Sequence, residues 1–426
     1  MMTTRRALII GGSLGGLLAA HMLRAAGWRV DVFERSTEDL AGRGAGLGTH
    51  DGLVAVLRRI GISIDDSLGV ATHSYIWLDT SGATLRDIPF VRVMTAWSRL
   101  YRPLRDALPA AHYHAGKSLV RVEQETRSAT AIFADGTSAA GDLLVAADGS
   151  RSTVRAQVLA QVRPQYAGYI AWRALVAEAD IAAADRDLLF ARNTFCVPDT
   201  ELAVSYGVPA RDGDVRVGHR DYNIVWYRPA NDAALADLNT DTSGRRHEQI
   251  PPPLIRPDVT ATVKKDARRL LAPSIANIFE RAEQPIFQAI YDLAAPRLTF
   301  GRVALLGDAA FVARPHVGAG VTKAALDAAC LAHVLSTHDD IDGALANYDR
   351  TRQPAGAWMV ARGRAAGARI AIEDSSRLSA SEKAQYAEQA WQEYCVLPGE
   401  IRDWADAAMC DWAPGSQTMV EQSGLV

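Results

Sequence analysis

Apolar positions in this chain fall first into a short unbroken run and then into helical spacing. Ala7 to Ile10 is wholly apolar, the pattern of a strand buried on both faces. Gly11, Gly12, Gly15 and Gly16 follow at once, and Leu17, Leu18, Met22 and Leu23 recur at helical spacing until Gly27. Val30, Val32 and Phe33 then alternate into a second strand that ends at Glu34. Together these make a βαβ unit of about thirty residues with an acid about twenty positions after the glycines. Such a unit binds a dinucleotide: glycines let the backbone approach a pyrophosphate, the helix N-terminus supplies free N–H groups, and the acid accepts a ribose hydroxyl. Ser13 stands where the G-x-G-x-x-G pattern has its second glycine, and it is small enough to be tolerated.

The pattern continues through a glycine-rich loop, Gly42 to Gly48, and a helix around Asp51 to Arg59. Residues 72–93 read as two strands about a Ser81-Gly82 turn. Trp97 to Leu108 returns to helix and carries Arg99, Arg102 and Arg105. Residues 117–147 read as a β-meander whose last strand is apolar and ends at Asp148-Gly149 before a short helix. An acid and a glycine at the carboxyl end of a buried strand mark where open α/β sheets bind ligands. From 166 to 228 aromatic residues crowd into strand-like runs: Tyr166, Tyr169, Trp172, Phe195, Tyr206, Tyr222, Trp226 and Tyr227. A polar, proline-rich excursion (229–260) and helices to about 284 follow. Then comes a buried strand ending in Gly307-Asp308, the turn Arg314-Pro315-His316 with Gly318-Ala319-Gly320, and a long helix of small residues. Residues 341–370 read as a further helix, and the tail as mixed helix and loop.

Composition narrows the class. The chain has 426 residues, 48% hydrophobic and 22% charged, with net charge −3. That length implies more than one core, and the balance gives no basic surface for nucleic acid. No apolar stretch approaches the ~20 residues that span a membrane. Arg5-Arg6 before an apolar run resembles a twin-arginine signal, but the run breaks at Gly11 and Gly12 and flows into a charged strand, so a cytoplasmic location is expected. Four scattered cysteines lack metal-type spacing, so no metal is expected.

Three motifs in fixed order, GGSLGG with Glu34, DLLVAADGSRSTVR, and RVALLGDAAFVARPHVGAG, resemble the single-component FAD-dependent aromatic hydroxylases typified by para-hydroxybenzoate hydroxylase. The resemblance runs over about residues 5–360. It implies an α/β fold: a Rossmann-like FAD-binding domain (GR2-type, discontinuous), an inserted mixed or antiparallel β-sheet substrate domain, and a helical C-terminal region. The expected FAD-binding parts are 1–71, 94–165 and 286–370, the substrate sheet 72–93 and 166–285, and the C-terminal helical segment 371–426. The ADP half of FAD is expected on Gly11, Ser13, Gly15, Gly16 and Glu34, with Arg43 as a partner for cofactor phosphate and Gly12, Leu14, Arg35 and Arg102 as further cofactor-binding candidates. Asp148-Gly149 matches a pair serving FAD and NAD(P)H, Asp308 the ribityl chain or pyrophosphate, and Pro315, Gly318, Ala319 and Gly320 the turn beneath the flavin. Departures from the family pattern are Phe311, Ala319 and Thr322.

The implied activity is hydroxylation of an electron-rich hydroxylated aromatic or N-heteroaromatic (pyridine-like) ring, using NAD(P)H and O2 through a flavin C4a-hydroperoxide. The implied partners are a small aromatic substrate and O2, with a homodimer as the candidate assembly. His50, Ser205 and His316 are the candidates for catalysis, and none stands out as the base. Glu201, Ser205, Tyr222, Trp226, Pro315 and His316 are the candidates for substrate contact, since Glu201, Ala203 and Ser205 share one strand face and Tyr222, Ile224 and Trp226 another. An epoxidase or dehydrogenase on the same scaffold, or a flavin-binding regulator, are the alternatives. A plain NAD-dependent Rossmann dehydrogenase would need neither Asp148-Gly149 nor Gly307-Asp308.

Overall fold

A computed structural model describes residues 4–42, 46–63, 65–198, 200–370 and 378–409. The opening strand Arg6–Ile10 is the centre of a six-stranded sheet. It pairs in parallel with Arg29–Phe33 on one side and Leu143–Ala146 on the other. Leu143–Ala146 in turn pairs in parallel with Val303–Leu305. Strands far apart in sequence thus share one sheet, and its central residues are buried because helices cover one face and the three-stranded sheet Leu119–Gln124, Ala129–Phe133 and Ser138–Gly141 covers the other. Helices Leu14–Ala25 and Gly320–Thr337 pack side by side on it, a Cβ placed on Gly15 falling 3.5 Å from that of Ala324.

The aromatic stretch forms a nine-stranded sheet built around Gln165–Ala177, Asp221–Pro229, Leu202–Val208 and Arg192–Cys196. It continues through the hairpin Val70–Leu78 and Thr84–Ala96, longer at both ends than the expected 72–93. Three further strands lie in segments that the motif order assigns to the FAD-binding part. Gly46–Gly48 pairs with Thr84–Ala96, Ile286–Ala294 with Gln165–Ala177, and Phe311–Val312 with Ile286–Ala294. A period-two pattern reports a strand but not which sheet receives it, so the chain enters this sheet earlier and leaves it later than the pattern suggests.

Both faces of this sheet are covered. Helices Pro257–Leu270 and Pro273–Arg281 bury one face over Trp172, Ile224 and Trp226. The other meets the turn at Val317 and Ala319 and the C-terminal helix Ala380–Met409, through Tyr386, Tyr394 and Ile401. That helix is fastened to Ile341–Gly367 by Arg362 with Glu393 and Glu400, and by Trp404 Nε1 donating to Ala355 O at 3.2 Å.

Candidate active site and cofactor groove

The first glycine turn is built by close approach. Gly11 has φ +105°, and a Cβ there would lie 2.3 Å from Ala147 O, so only glycine lets the chain leave the strand against its neighbour. Glu34 is buried at the end of the second strand, where its carboxylate accepts from Gly12 N (2.8 Å) and Ser36 N (2.9 Å). The acid read as a ribose acceptor therefore also ties strand to turn. Ser13, at the start of the helix, makes no side-chain cap bond, so the first-turn N–H groups have no intrahelical or capping partner. Leu14 points into the core, leaving only its backbone for a ligand. Arg35 and Arg102 are exposed, and Arg43 lies outside the described residues.

The second turn is a mirror of the first in function. Arg314-Pro315 leads into a tight turn ending at Gly318, which is left-handed (φ +58°, ψ 22°), and helix Gly320–Thr337 starts with no side-chain cap. Gly320 is exposed, and a Cβ there would meet nothing within 4 Å. Asp148 Oδ2 accepts from Thr153 N (2.8 Å) and Val154 N (3.2 Å), while its Oδ1 is buried without a partner. Two adjacent uncapped helix N-termini and an orphaned carboxylate oxygen are a donor and acceptor set that suits a diphosphate and the hydroxyls attached to it, so the residues fit FAD. The departures are explained in part. Phe311 is fully buried, where Gly356 makes room for its ring, and Thr322 supplies an acceptor to His50.

Beside this turn lies a cavity of about 100 Å³. Tyr75, Phe195, Tyr206 and Tyr227 wall it from the sheet, Pro315 and His316 from the turn, and Tyr394 from the C-terminal helix. The structure brings Pro315 and His316 to this cavity, with His50 behind its Arg92 wall, but not the other sequence candidates. Ser205, Tyr222 and Trp226 face the opposite side, where Tyr222 OH donates to Ser205 Oγ at 3.1 Å and Trp226 packs on Phe279. Glu201 is buried in an ion pair with Arg228 (2.9 Å). The difference is one register step: with both faces apolar, alternation does not say which face lines the cavity, and Val225 and Tyr227 line it instead of Tyr222, Ile224 and Trp226.

Sequence reasoning also missed Arg92, the cation of the cavity. Its guanidinium donates to His50 Nε2 (2.9 Å), Gly318 O (3.1 Å), Tyr75 OH (3.2 Å) and Thr49 O (3.3 Å), which joins the hairpin to the flavin turn. An arginine flanked in a strand by the apolar Phe90, Val91, Val93 and Met94 was the available signal. Because guanidinium only donates, His50 Nε2 must accept; its proton sits on Nδ1 and goes to Thr322 Oγ1 at 3.0 Å. Burial, helped by Arg92, holds His50 neutral by lowering its pKa well below the ordinary value. Arg173 stands on the same sheet face, beside Val225, with no hydrogen bond or ion pair among the described residues and its Nε buried.

His316 is held in an aromatic cage. Tyr394 OH donates to Ala366 O (2.8 Å) and so accepts from His316 Nδ1 (3.4 Å), leaving Nε2 to accept from Tyr169 OH (2.7 Å). Burial, with the Arg314 guanidinium nearby, pulls the His316 pKa down to about 3, and burial pushes the Tyr169 hydroxyl up to about 12. His316 is therefore a neutral positioning group at ordinary pH, with its acceptor nitrogen already occupied.

A strand–glycine turn–helix on a parallel sheet, joined to a second glycine turn and an aromatic cavity, defines an FAD-dependent flavoprotein with a substrate sheet. Residues 4–191 match the FAD binding domain family and residues 166–292 the FAD binding domain-like family. The 2,6-dihydroxypyridine 3-monooxygenase of Paenarthrobacter nicotinovorans is 32% identical over 354 residues, 82% of this chain and 87% of that protein. The 6-hydroxynicotinate 3-monooxygenase of Pseudomonas fluorescens is 27% identical, covering 79% of this chain and 83% of its own. Among solved structures, 2,6-dihydroxypyridine-3-hydroxylase from Arthrobacter nicotinovorans matches with TM-score 0.81 at 30% identity, over 86% of this chain and 93% of that one. Klebsiella pneumoniae HpxO, solved with FAD and uric acid, matches with TM-score 0.73 at 25% identity, over 96% and 98%.

The chain belongs to the FAD-dependent aromatic hydroxylases, the class A flavoprotein monooxygenases. It is an enzyme, its cofactor is FAD, and NAD(P)H is the usual reductant of such monooxygenases. No helix among the described residues is long and apolar enough to cross a membrane.

Proposed function

We propose that the enzyme hydroxylates a planar, hydroxylated N-heteroaromatic ring of the pyridine type, bound as its ring oxyanion. One observation carries this reading: the cavity is walled by aromatic rings, holds the Arg92 guanidinium, and has no carboxylate among the described residues of its lining. Aromatic walls select a flat ring. A fixed cation without a competing acid favours the ionised form of a ring hydroxyl, and that form is the better nucleophile. The relatives named for dihydroxypyridine, hydroxynicotinate and uric acid support the same chemical class.

Bound FAD would supply O2 activation, with NAD(P)H as the reductant and O2 as the source of the transferred oxygen atom. Gly11 to Gly16, Glu34, Asp148, Asp308 and the 315–320 turn would hold it. The chain's own part is then positional. Arg92 stabilises the ring oxygen while anchoring Gly318, His316 and Tyr227 set the plane of the ring, and Tyr394, Leu397 and Pro398 close the cavity against water. Buried thiols at Cys196 and Cys330 suit a cytoplasmic setting. The test is a screen of hydroxypyridines, hydroxybenzoates and purine-like rings for substrate-stimulated NAD(P)H oxidation, with products identified by mass. Hydroxypyridines giving only hydrogen peroxide, while another class is hydroxylated, would refute the pyridine-type reading.

A further inference from the structure

Helix Gly320–Thr337 buries a lysine that neither the cavity nor the fold accounts for. Lys323 is 0% exposed, and its Nζ has no hydrogen-bond partner. Two carboxylates lie near it, Asp308 Oδ1 and Asp327 Oδ2, each at 3.9 Å. Asp327 is already served: Arg352 Nε donates to one oxygen at 2.8 Å and Gly307 N to the other at 3.2 Å. A second cation is thus not needed to compensate Asp327. Asp308 differs, because its side chain is 54% exposed and makes no hydrogen bond among the described residues. Its backbone is fixed by Gly307 (φ +62°), packed on Ala324 one residue from the lysine. A buried ammonium without hydrogen bonds is costly, and an apolar side chain of the same volume would serve the core better. The charge is therefore spent on Asp308.

We propose that Lys323 is a positioning residue for FAD, orienting the Asp308 carboxylate so that it accepts a hydrogen bond from a hydroxyl of the cofactor. The proposal rests on Asp308 contacting FAD. Lys323 has no accessible surface with which to touch the cofactor itself. The other groups around it, Asp327 with its partner Arg352 and the ring of Phe311 at 6.0 Å, are buried.

FAD released on dilution of the holoenzyme, read by its fluorescence, gives the dissociation constant for each variant. Lys323→Met is expected to weaken FAD about tenfold, the loss of one well-aimed charge-assisted hydrogen bond. Lys323→Gln, which keeps a donor, is expected to fall between. Asp308→Asn should weaken FAD by a similar factor, and adding Lys323→Met to it should change the constant less than twofold. Wild-type affinity in Lys323→Met overturns the proposal. Wild-type affinity in Asp308→Asn overturns it at its premise. An undiminished effect of Lys323→Met in the Asp308→Asn background also overturns it, since the ammonium would then act without the carboxylate. If Lys323→Met does not fold, Lys323→Gln carries the same comparison: its effect must vanish in the Asp308→Asn background.

Discussion

Replacing Arg92 by methionine removes the cation of the cavity while keeping most of the side-chain volume. Four hydrogen bonds go with it, to His50, Gly318, Tyr75 and Thr49. The structural share falls mainly on His50, whose Nε2 is left buried without a donor; that costs about 1–2 kcal/mol of stability. The catalytic share is separate. If Arg92 stabilises the ring oxygen, the loss of one charge-assisted bond is worth about 2 kcal/mol, or roughly 30-fold in kcat/KM. A cation favours the anion, so the bound ring's ionisation should move upward by about 1–2 pH units when the cation is removed. The assay is NAD(P)H oxidation and product formation measured together across pH. Arg92→Met should lower kcat/KM, shift the acid limb to higher pH and divert reducing equivalents to hydrogen peroxide, while Arg92→Lys should recover part of each. A folded Arg92→Met enzyme with kcat/KM within about threefold of wild type and an unmoved acid limb would refute the reasoning.

Further outcomes follow from the same geometry. Gly320→Val should fold at wild-type stability, since a Cβ there meets nothing within 4 Å, yet purify with little FAD; unchanged flavin content would show that the groove runs elsewhere. Tyr222→Phe and Ser205→Ala should each cost about 1 kcal/mol in urea denaturation without changing substrate KM, whereas Tyr227→Ala on the cavity face should raise KM. His316, held down to about 3, stays neutral in the fold, but an unfolded histidine takes a proton near pH 6.5. Between those values the unfolded state binds more protons, so this share of stability is full above pH 6.5 and lost as pH falls below it. The urea midpoint of His316→Asn should therefore fall less than that of wild type from pH 7 to pH 5; equal falls would contradict the neutral assignment.

What the sequence made legible follows from how local each constraint is. The turn at Gly11 to Gly16, the acid at Glu34 and the turn at Gly318 are local: a positive φ or a backbone contact admits one residue type, and the letters show it. The substrate face is not local. Tyr222 and Tyr227 look alike in the chain, and only the helices packed over Trp226 decide that one is core and the other cavity. Tyr394 lies beyond the stretch that resembles the family, and its role depends on a docking of helix Ala380–Met409 that no motif announces. Arg92 was obscured by the alternation around it; its function comes from His50 and Gly318, 42 and 226 residues away.

The most direct test of the central claim is the origin of the oxygen in the product. Purified FAD-loaded enzyme, given NAD(P)H and a hydroxypyridine under isotopically labelled O2 in ordinary water, should yield a hydroxylated ring carrying one labelled atom. Oxidised product without label, or label found only in a companion run with labelled water and ordinary O2, would contradict a monooxygenase and leave a dehydrogenase on this scaffold.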